Sequence, residues 1–101
     1  MERGGCVYIM TNKNNTTLYT EVTSDLQTRI SEHKNHVHPK SFTARYNLTK
    51  LVYYDFYSRI EEAIDAEKKI KASSRKSKEA LINSINAEWV DLYVKDEIES
   101  W

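Results

Sequence analysis

Two Tyr-centred runs open the chain, the apolar Cys6 to Thr11 and the mixed Thr17 to Val22, and along each of them successive residues turn alternately inward and outward. That is the signature of strands with one face turned inward and one outward. The link Asn12-Lys13-Asn14-Asn15 is built of residues that tolerate left-handed backbone, so the two runs form an antiparallel hairpin. On its pleat Tyr8 shares a face with Cys6 and Met10, and Tyr19 shares one with Thr17 and Glu21. The hairpin thereby offers a way to bring two phenols together, although paired strand tyrosines are more often packing partners than chemistry.

The period then becomes helical. Ser24 or Asp25 caps a helix whose stripe Leu26, Ile30 and His33 runs to about Asn35. The stretch His36 to Ala44 contains Pro39 and no periodicity, and reads as a loop. Lys50 to Tyr57 is rich in β-branched and aromatic residues and predicts a third strand. Ser58 with Glu61 matches a capping box for a second helix through about Ala72, and Ser73 and Ser74 punctuate it. A third helix follows over about Arg75 to Ile85 on the stripe Leu81, Ile82 and Ile85, with Trp89, Leu92 and Tyr93 docking what comes after. The expected fold is α+β, a three-stranded antiparallel sheet flanked by helices in the order β-β-α-β-α-α. Both glycines sit at positions 4 and 5, so every turn must be made without one.

A chain of 101 residues makes one core, and the expectation is a single domain over 1–101 with a frayed acidic tail at 95–101 unless Ile98 or Trp101 packs. The absence of a long apolar run or a basic-then-apolar leader predicts a cytoplasmic protein without a membrane span. A single cysteine makes no internal disulfide, and Cys6 reads as a buried strand residue. Net charge is zero, which argues against a uniformly basic nucleic-acid binder. The charges are nevertheless segregated. Lys68, Lys69, Lys71, Arg75, Lys76 and Lys78 form a run without an acid, whereas the stretch from Glu88 to Glu99 is mostly acidic. Such a basic run is either a nucleic-acid patch or a solvated helix face.

Glu67 stands out without reference to any other protein. Ile60, Ala63, Ile64 and Ile70 form the apolar stripe of the second helix, and Glu67 falls in its middle, aimed at the sheet. An unpaired buried carboxylate costs roughly several kcal/mol, so it calls for an ion pair, with Arg29 or a lysine stem, or for a divalent metal. One carboxylate plus water and phosphate oxygens is a common way to hold Mg²⁺. Arg29 and His33, one helical turn apart, face the same anion. The guanidinium matches phosphate geometry and imidazole transfers a proton near neutrality. Tyrosine, arginine, histidine and glutamate on one face would make a metal-assisted phosphodiesterase site, provided a cation lowers the phenol from its ordinary value of about 10.

From about Val7 to Tyr93 the chain resembles the compact single-domain bacterial members of the GIY-YIG nuclease superfamily. The stretches that carry the resemblance are Val7-Tyr8-Ile9, Leu18 to Leu26, Arg29-Ile30 with His33, Glu62-Ala63-Ile64 leading to Glu67 through Lys71, and Leu81-Ile82-Asn83 with Asn86 to Trp89. The resemblance implies Mg²⁺- or Mn²⁺-dependent cleavage of DNA, with no organic cofactor. Glu67 would be the metal ligand, Arg29 would hold the scissile phosphate, and Tyr8 or Tyr19 would act as general base or water positioner. His33 and Asn86 would support them, and Lys68, Lys69, Lys71, Arg75 and Lys76 would meet nucleic acid.

Four positions depart from the family pattern. Cys6 and Glu21 replace the glycines of the first and second signatures, Ser73 stands where an aromatic is expected, and Ala87 replaces a proline. Glu21 matters most, because glutamate adds bulk and negative charge where phosphate should bind. It repels DNA, neutralises Arg29, or becomes a second metal ligand, and the sequence leaves the three open. The competing classes are therefore a catalytically weak or inactive nucleic-acid binder and a protein-interaction module using Trp89, Tyr93 and the acidic tail.

Overall fold

In the computed structural model, which describes residues 4–101, the two Tyr-centred runs become β1 (Gly5–Thr11) and β2 (Leu18–Thr23). Met1 to Arg3 of the expected domain lie outside the described residues. β3 (Lys50–Tyr57) completes an antiparallel sheet of order β2-β1-β3. β1 is central and buried along its whole length, because helices cover both faces.

On one face lie α1 (Leu26–Lys34), the four-residue α2 (Phe42–Arg45), α5 (Leu92–Lys95) and a 3-10 turn at Ile98–Ser100. Leu26, Ile30, Leu92 and Ile98 pack there against Cys6, Tyr8 and Met10. On the other face α3 (Ile60–Ala72) and α4 (Arg75–Ile85) bury Ile9, Val52, Tyr53 and Ile82. Glycine is required where α3 meets β1: a Cβ on Gly5 would come within 2.6 Å of Ile60 and 2.9 Å of Ala63. The turns do manage without glycine, through Asn15, His36, Asn47, Trp89 and Glu97 in left-handed backbone.

The expected fold class holds, with three local corrections. The loop His36 to Ala44 runs into α2, capped by Ser41, whose hydroxyl accepts from the Ala44 amide at 3.3 Å. The capping box at Ser58 does not form. Arg59 is the N-cap of α3, and the Ser58 hydroxyl instead donates to Glu62 at 3.2 Å. The acidic tail is docked rather than frayed. Ile98 is fully buried, the Gln27 amide donates to the Glu99 carbonyl at 2.5 Å, and the Trp101 ring lies 5.8 Å from both Tyr54 and Phe56. Packing of that isoleucine supplies what a terminus needs to order.

Candidate active site

Because the strands are antiparallel, cross-strand partners share a face: Met10 lies opposite Tyr19, and Tyr8 opposite Glu21. The hairpin therefore presents Tyr8, Tyr19 and Glu21 on the face that α1 covers. Asp25 caps α1 by accepting from the Thr28 amide at 3.2 Å, and this fixes the helix phase that turns Arg29 and His33 onto those residues.

Glu21 is the centre of the group. Its carboxylate takes the Arg29 guanidinium through Nε at 3.1 Å and Nη2 at 3.5 Å, while Arg29 Nη1 reaches Glu32 at 3.3 Å. The Tyr8 and Tyr19 hydroxyls also act on this carboxylate. Of the three roles that the sequence leaves open for Glu21, the one it performs here is neutralising Arg29. Burial opposes ionisation of Glu21, but donation from Tyr19 and Arg29 outweighs it and holds the carboxyl below its ordinary range. Burial likewise opposes the charge on Arg29, and Glu21 overcomes it and keeps the guanidinium above its usual value.

The phenols respond in the opposite direction from what base action requires. Desolvation and the Glu21 carboxylate push Tyr19 up to about 12. Tyr8, fully buried, is driven further up by the same causes in the same order. Arg29 lowers both but is outweighed. The cation that a tyrosine base needs is thus engaged by Glu21, and both phenols stay above their ordinary value.

His33 is buried between two partners. Its Nε2 lies 2.8 Å from the Tyr8 hydroxyl and its Nδ1 lies 2.9 Å from Thr43 Oγ1. Burial, followed by the nearby Arg29 charge, lowers its pKa and favours neutral imidazole. Thr43 and Glu32 are functional neighbours that sequence reasoning missed. Glu32 carried a signal, sitting three residues after Arg29 on one helix. Thr43 carried none, because ten residues of chain separate it from His33.

Glu67 reaches this site from the other layer. α3 crosses behind β2, and the negative charge of Glu67 contributes to raising Tyr19. Its side chain is only 14 % exposed and pairs with Lys71 at 3.6 Å, the lysine partner that its burial called for. Among the described residues no three His, Cys, Asp or Glu side chains gather into a metal cage. Glu67 thus offers one part-buried carboxylate, which fits a hydrated Mg²⁺ or Mn²⁺ completed by water and phosphate oxygens, not an all-protein site.

Asn86 stands apart from the Tyr19–Arg29 group. Its amide donates to the carbonyls of Val52 at 3.1 Å and Val90 at 2.9 Å and accepts from the Val90 amide at 3.1 Å. Val52 is the residue skipped where the β1–β3 register shifts. Asn86 supports the sheet edge, not the reacting groups.

The basic run divides. Lys68, Lys69, Lys71 and Lys76 are exposed, and Lys71 holds Glu67. Arg75 has a structural task. It donates to the carbonyls of Thr16 at 2.8 Å and Asn15 at 2.6 Å and pairs with Glu79 at 2.9 Å, tying the β1–β2 turn to α4. Lys78 caps the end of α3 through the Ser73 carbonyl at 3.1 Å. Where an aromatic was expected, Ser73 donates to the Ile70 carbonyl at 2.6 Å, leaving a shallow groove of about 430 Å³ floored by Ile70 and Leu81.

A model of the GIY-YIG catalytic domain matches residues 4–80. The chain belongs to the GIY-YIG family. A UPF0213 protein of Clostridium perfringens (strain 13 / Type A) is 38% identical over 78 residues, covering 77% of this chain and 82% of the relative. The solution NMR structure of a UPF0213 protein from Bacillus halodurans superposes with a TM-score of 0.54 at 28% identity, covering 84% of this chain and 88% of that one. GIY-YIG domains are usually nucleases, and the domain implies nucleic-acid binding in general. No helix among the described residues is long and apolar enough to cross a membrane.

Proposed function

We propose that this GIY-YIG domain is a divalent-metal-dependent endonuclease acting on DNA phosphodiester bonds, with Glu67 as metal ligand, and that Glu21 holds its turnover low. The observation that carries the reading is the gathering of Tyr8, Tyr19, Arg29 and His33 from three elements around one carboxylate, with α3, which carries Glu67, packed against β2. Mg²⁺ or Mn²⁺ at Glu67 would neutralise charge on a phosphate and acidify a bound water. Lys71, the present partner of Glu67, is more than half exposed and is free to swing aside.

The protein groups have distinct tasks. Arg29 is the phosphate clamp, but phosphate oxygens and the Glu21 carboxylate compete for the same N–H fork, so binding begins with loss of that ion pair. Tyr19 stays protonated at neutral pH and donates to a phosphate oxygen or a water. His33, in the tautomer that leaves Nε2 unprotonated, accepts the hydrogen bond of the Tyr8 hydroxyl and so orients that phenol, and Thr43 fixes its ring.

A second reading is favoured by the Glu21–Arg29 pair itself: a GIY-YIG domain that binds nucleic acid without cutting it, held by Lys68, Lys69 and Lys76. It predicts salt-sensitive DNA binding without cleavage.

The test is nicking of supercoiled, single-stranded and branched DNA at low salt with Mg²⁺, Mn²⁺ or EDTA. The wild-type chain should cut slowly, cutting should stop in EDTA and in Glu67→Ala, and Glu21→Gly should accelerate it by about tenfold or more, equivalent to about 1.4 kcal/mol of barrier. Metal-dependent nicking that survives Glu67→Ala removes the metal assignment. Silence of both wild type and Glu21→Gly transfers the function to binding.

A further inference from the structure

Beyond Tyr19 the aromatic surface continues outward. The Phe42 ring stacks on Tyr19 with centroids 5.7 Å apart and planes inclined by 23°, and Tyr46 lies 4.6 Å beyond Phe42. Phe42 and Tyr46 are 46% and 48% exposed, so two adjoining rings on one short segment present open faces to solvent. α2 holds both rings one turn apart, and the buried Thr43 between them anchors that helix to His33.

A groove of about 340 Å³ adjoins the inner two rings of this ladder, lined by Tyr19 and Phe42 together with Leu18, Lys71 and Lys78. Two of those residues are cations, and the segment from His36 to Lys50 that carries the ladder includes Lys40, Arg45 and Lys50 but no aspartate or glutamate. Apolar rings beside a cationic wall suit a ligand with flat π-faces on a negative backbone.

We infer that the Tyr19–Phe42–Tyr46 ladder and the Lys71/Lys78 wall form a stacking subsite for unpaired bases of single-stranded DNA, adjoining the catalytic face. In a duplex the base faces are covered by their neighbours, and only base edges reach a protein. Rings without a donor–acceptor pattern have nothing to read there. An unpaired base has a free face for Phe42 or Tyr46, and its phosphates meet the lysines. The occupant is a strand end, flap or gap rather than a continuous duplex, and stacking on any base makes the subsite tolerant of sequence. This rests on the reading of the domain as one directed at DNA, and deepens it by naming the substrate class.

The experiment is fluorescence anisotropy in EDTA, where no cleavage intervenes, with a labelled single-stranded oligonucleotide and the matching duplex. The wild-type chain should bind the single strand more tightly. Phe42→Ala and Tyr46→Ala should each weaken single-strand binding by about tenfold while leaving duplex binding unchanged. Phe42→Trp should retain it, which separates loss of a stacking face from loss of fold, and circular dichroism of each variant checks the latter. Equal affinity for duplex and single strand overturns the inference, as does a Phe42→Ala variant that is folded and binds as wild type. Tighter binding of single-stranded RNA than DNA overturns the DNA assignment. Metal-dependent cleavage without this preference leaves the proposed function intact and removes only the subsite. Ladder-dependent binding without cleavage does the reverse.

Discussion

The two faces of the sheet bury polar groups to different ends. On the α3–α4 face the buried Asn86 directs its amide to backbone groups of Val52 and Val90, within an otherwise apolar layer of Ile9, Val52, Tyr53 and Ile82. On the α1 face Tyr8, His33, Glu21 and Arg29 bond mainly to one another, and the charges of Glu21 and Arg29 shift the protonation of their neighbours. Buried polarity alone is therefore a poor mark of a site. Asn86 cannot titrate at ordinary pH and serves as a clamp. What distinguishes the α1 face is that its buried groups are ionisable and coupled.

The largest expected effect breaks the apolar side. Ile82→Ala removes a fully buried side chain that packs among Ile9, Val52 and Tyr53, and should cost about 2–5 kcal/mol. Urea unfolding reads that loss, and the pH dependence of stability below neutrality should keep its shape, because the ionisable group packed in this layer, Tyr53, is pushed up to about 12 and stays protonated there. A reshaped pH profile would show that the two layers are coupled.

A smaller effect belongs to the coupled side. The His33 pKa is lowered in the folded chain by burial and by Arg29, so the unfolded chain takes up a proton first as pH falls. Its contribution is complete above the ordinary histidine value of about 6.5 and is lost as pH drops through that value. Glu21, also lowered, adds a second loss below the ordinary glutamate value of about 4.3. Urea midpoints taken from neutral pH downward should therefore fall in two stages, and His33→Gln should abolish the first only. A variant that keeps both stages would remove His33 from the coupled set.

The smallest change in stability should come from Glu21→Gln. The Glu21–Arg29 pair is partly solvated, so its loss should cost about 1 kcal/mol or less. The same substitution should bring Tyr19 down from about 12 toward its ordinary value without reaching it, since burial is the larger cause. Ultraviolet titration of tyrosinate absorbance measures this, and an unmoved Tyr19 would show that Glu21 does not govern the phenol.

Much of this was legible along the chain because it is local. The period-two runs gave β1 and β2, the Leu26/Ile30/His33 stripe set the phase of α1, and the break at Ser73 and Ser74 separated α3 from α4. Hydrophobic patterning reports which residues share a face, and that sufficed to put Arg29 with His33, whereas for Tyr8 and Tyr19 it offered a meeting that the β1–β2 register then made. It also marked Glu67 as a carboxylate in need of a partner. The failures are local competitions. Ser58 found Glu62 rather than an amide, and Ser41 offered a better cap than the loop composition suggested.

The sequence by itself determined the element order, the shared faces and the types of group available for chemistry, because these follow from periods of two and of 3.6 residues. Only the tertiary structure decided which groups neutralise which. Arg29 is satisfied by Glu21 from a neighbouring strand, His33 by Thr43 from across a loop, and Arg75 by the β1–β2 turn. Ion pairing and desolvation depend on distances between segments that no local pattern encodes, so the protonation of the candidate site emerges only when the sheet and α1 close upon each other.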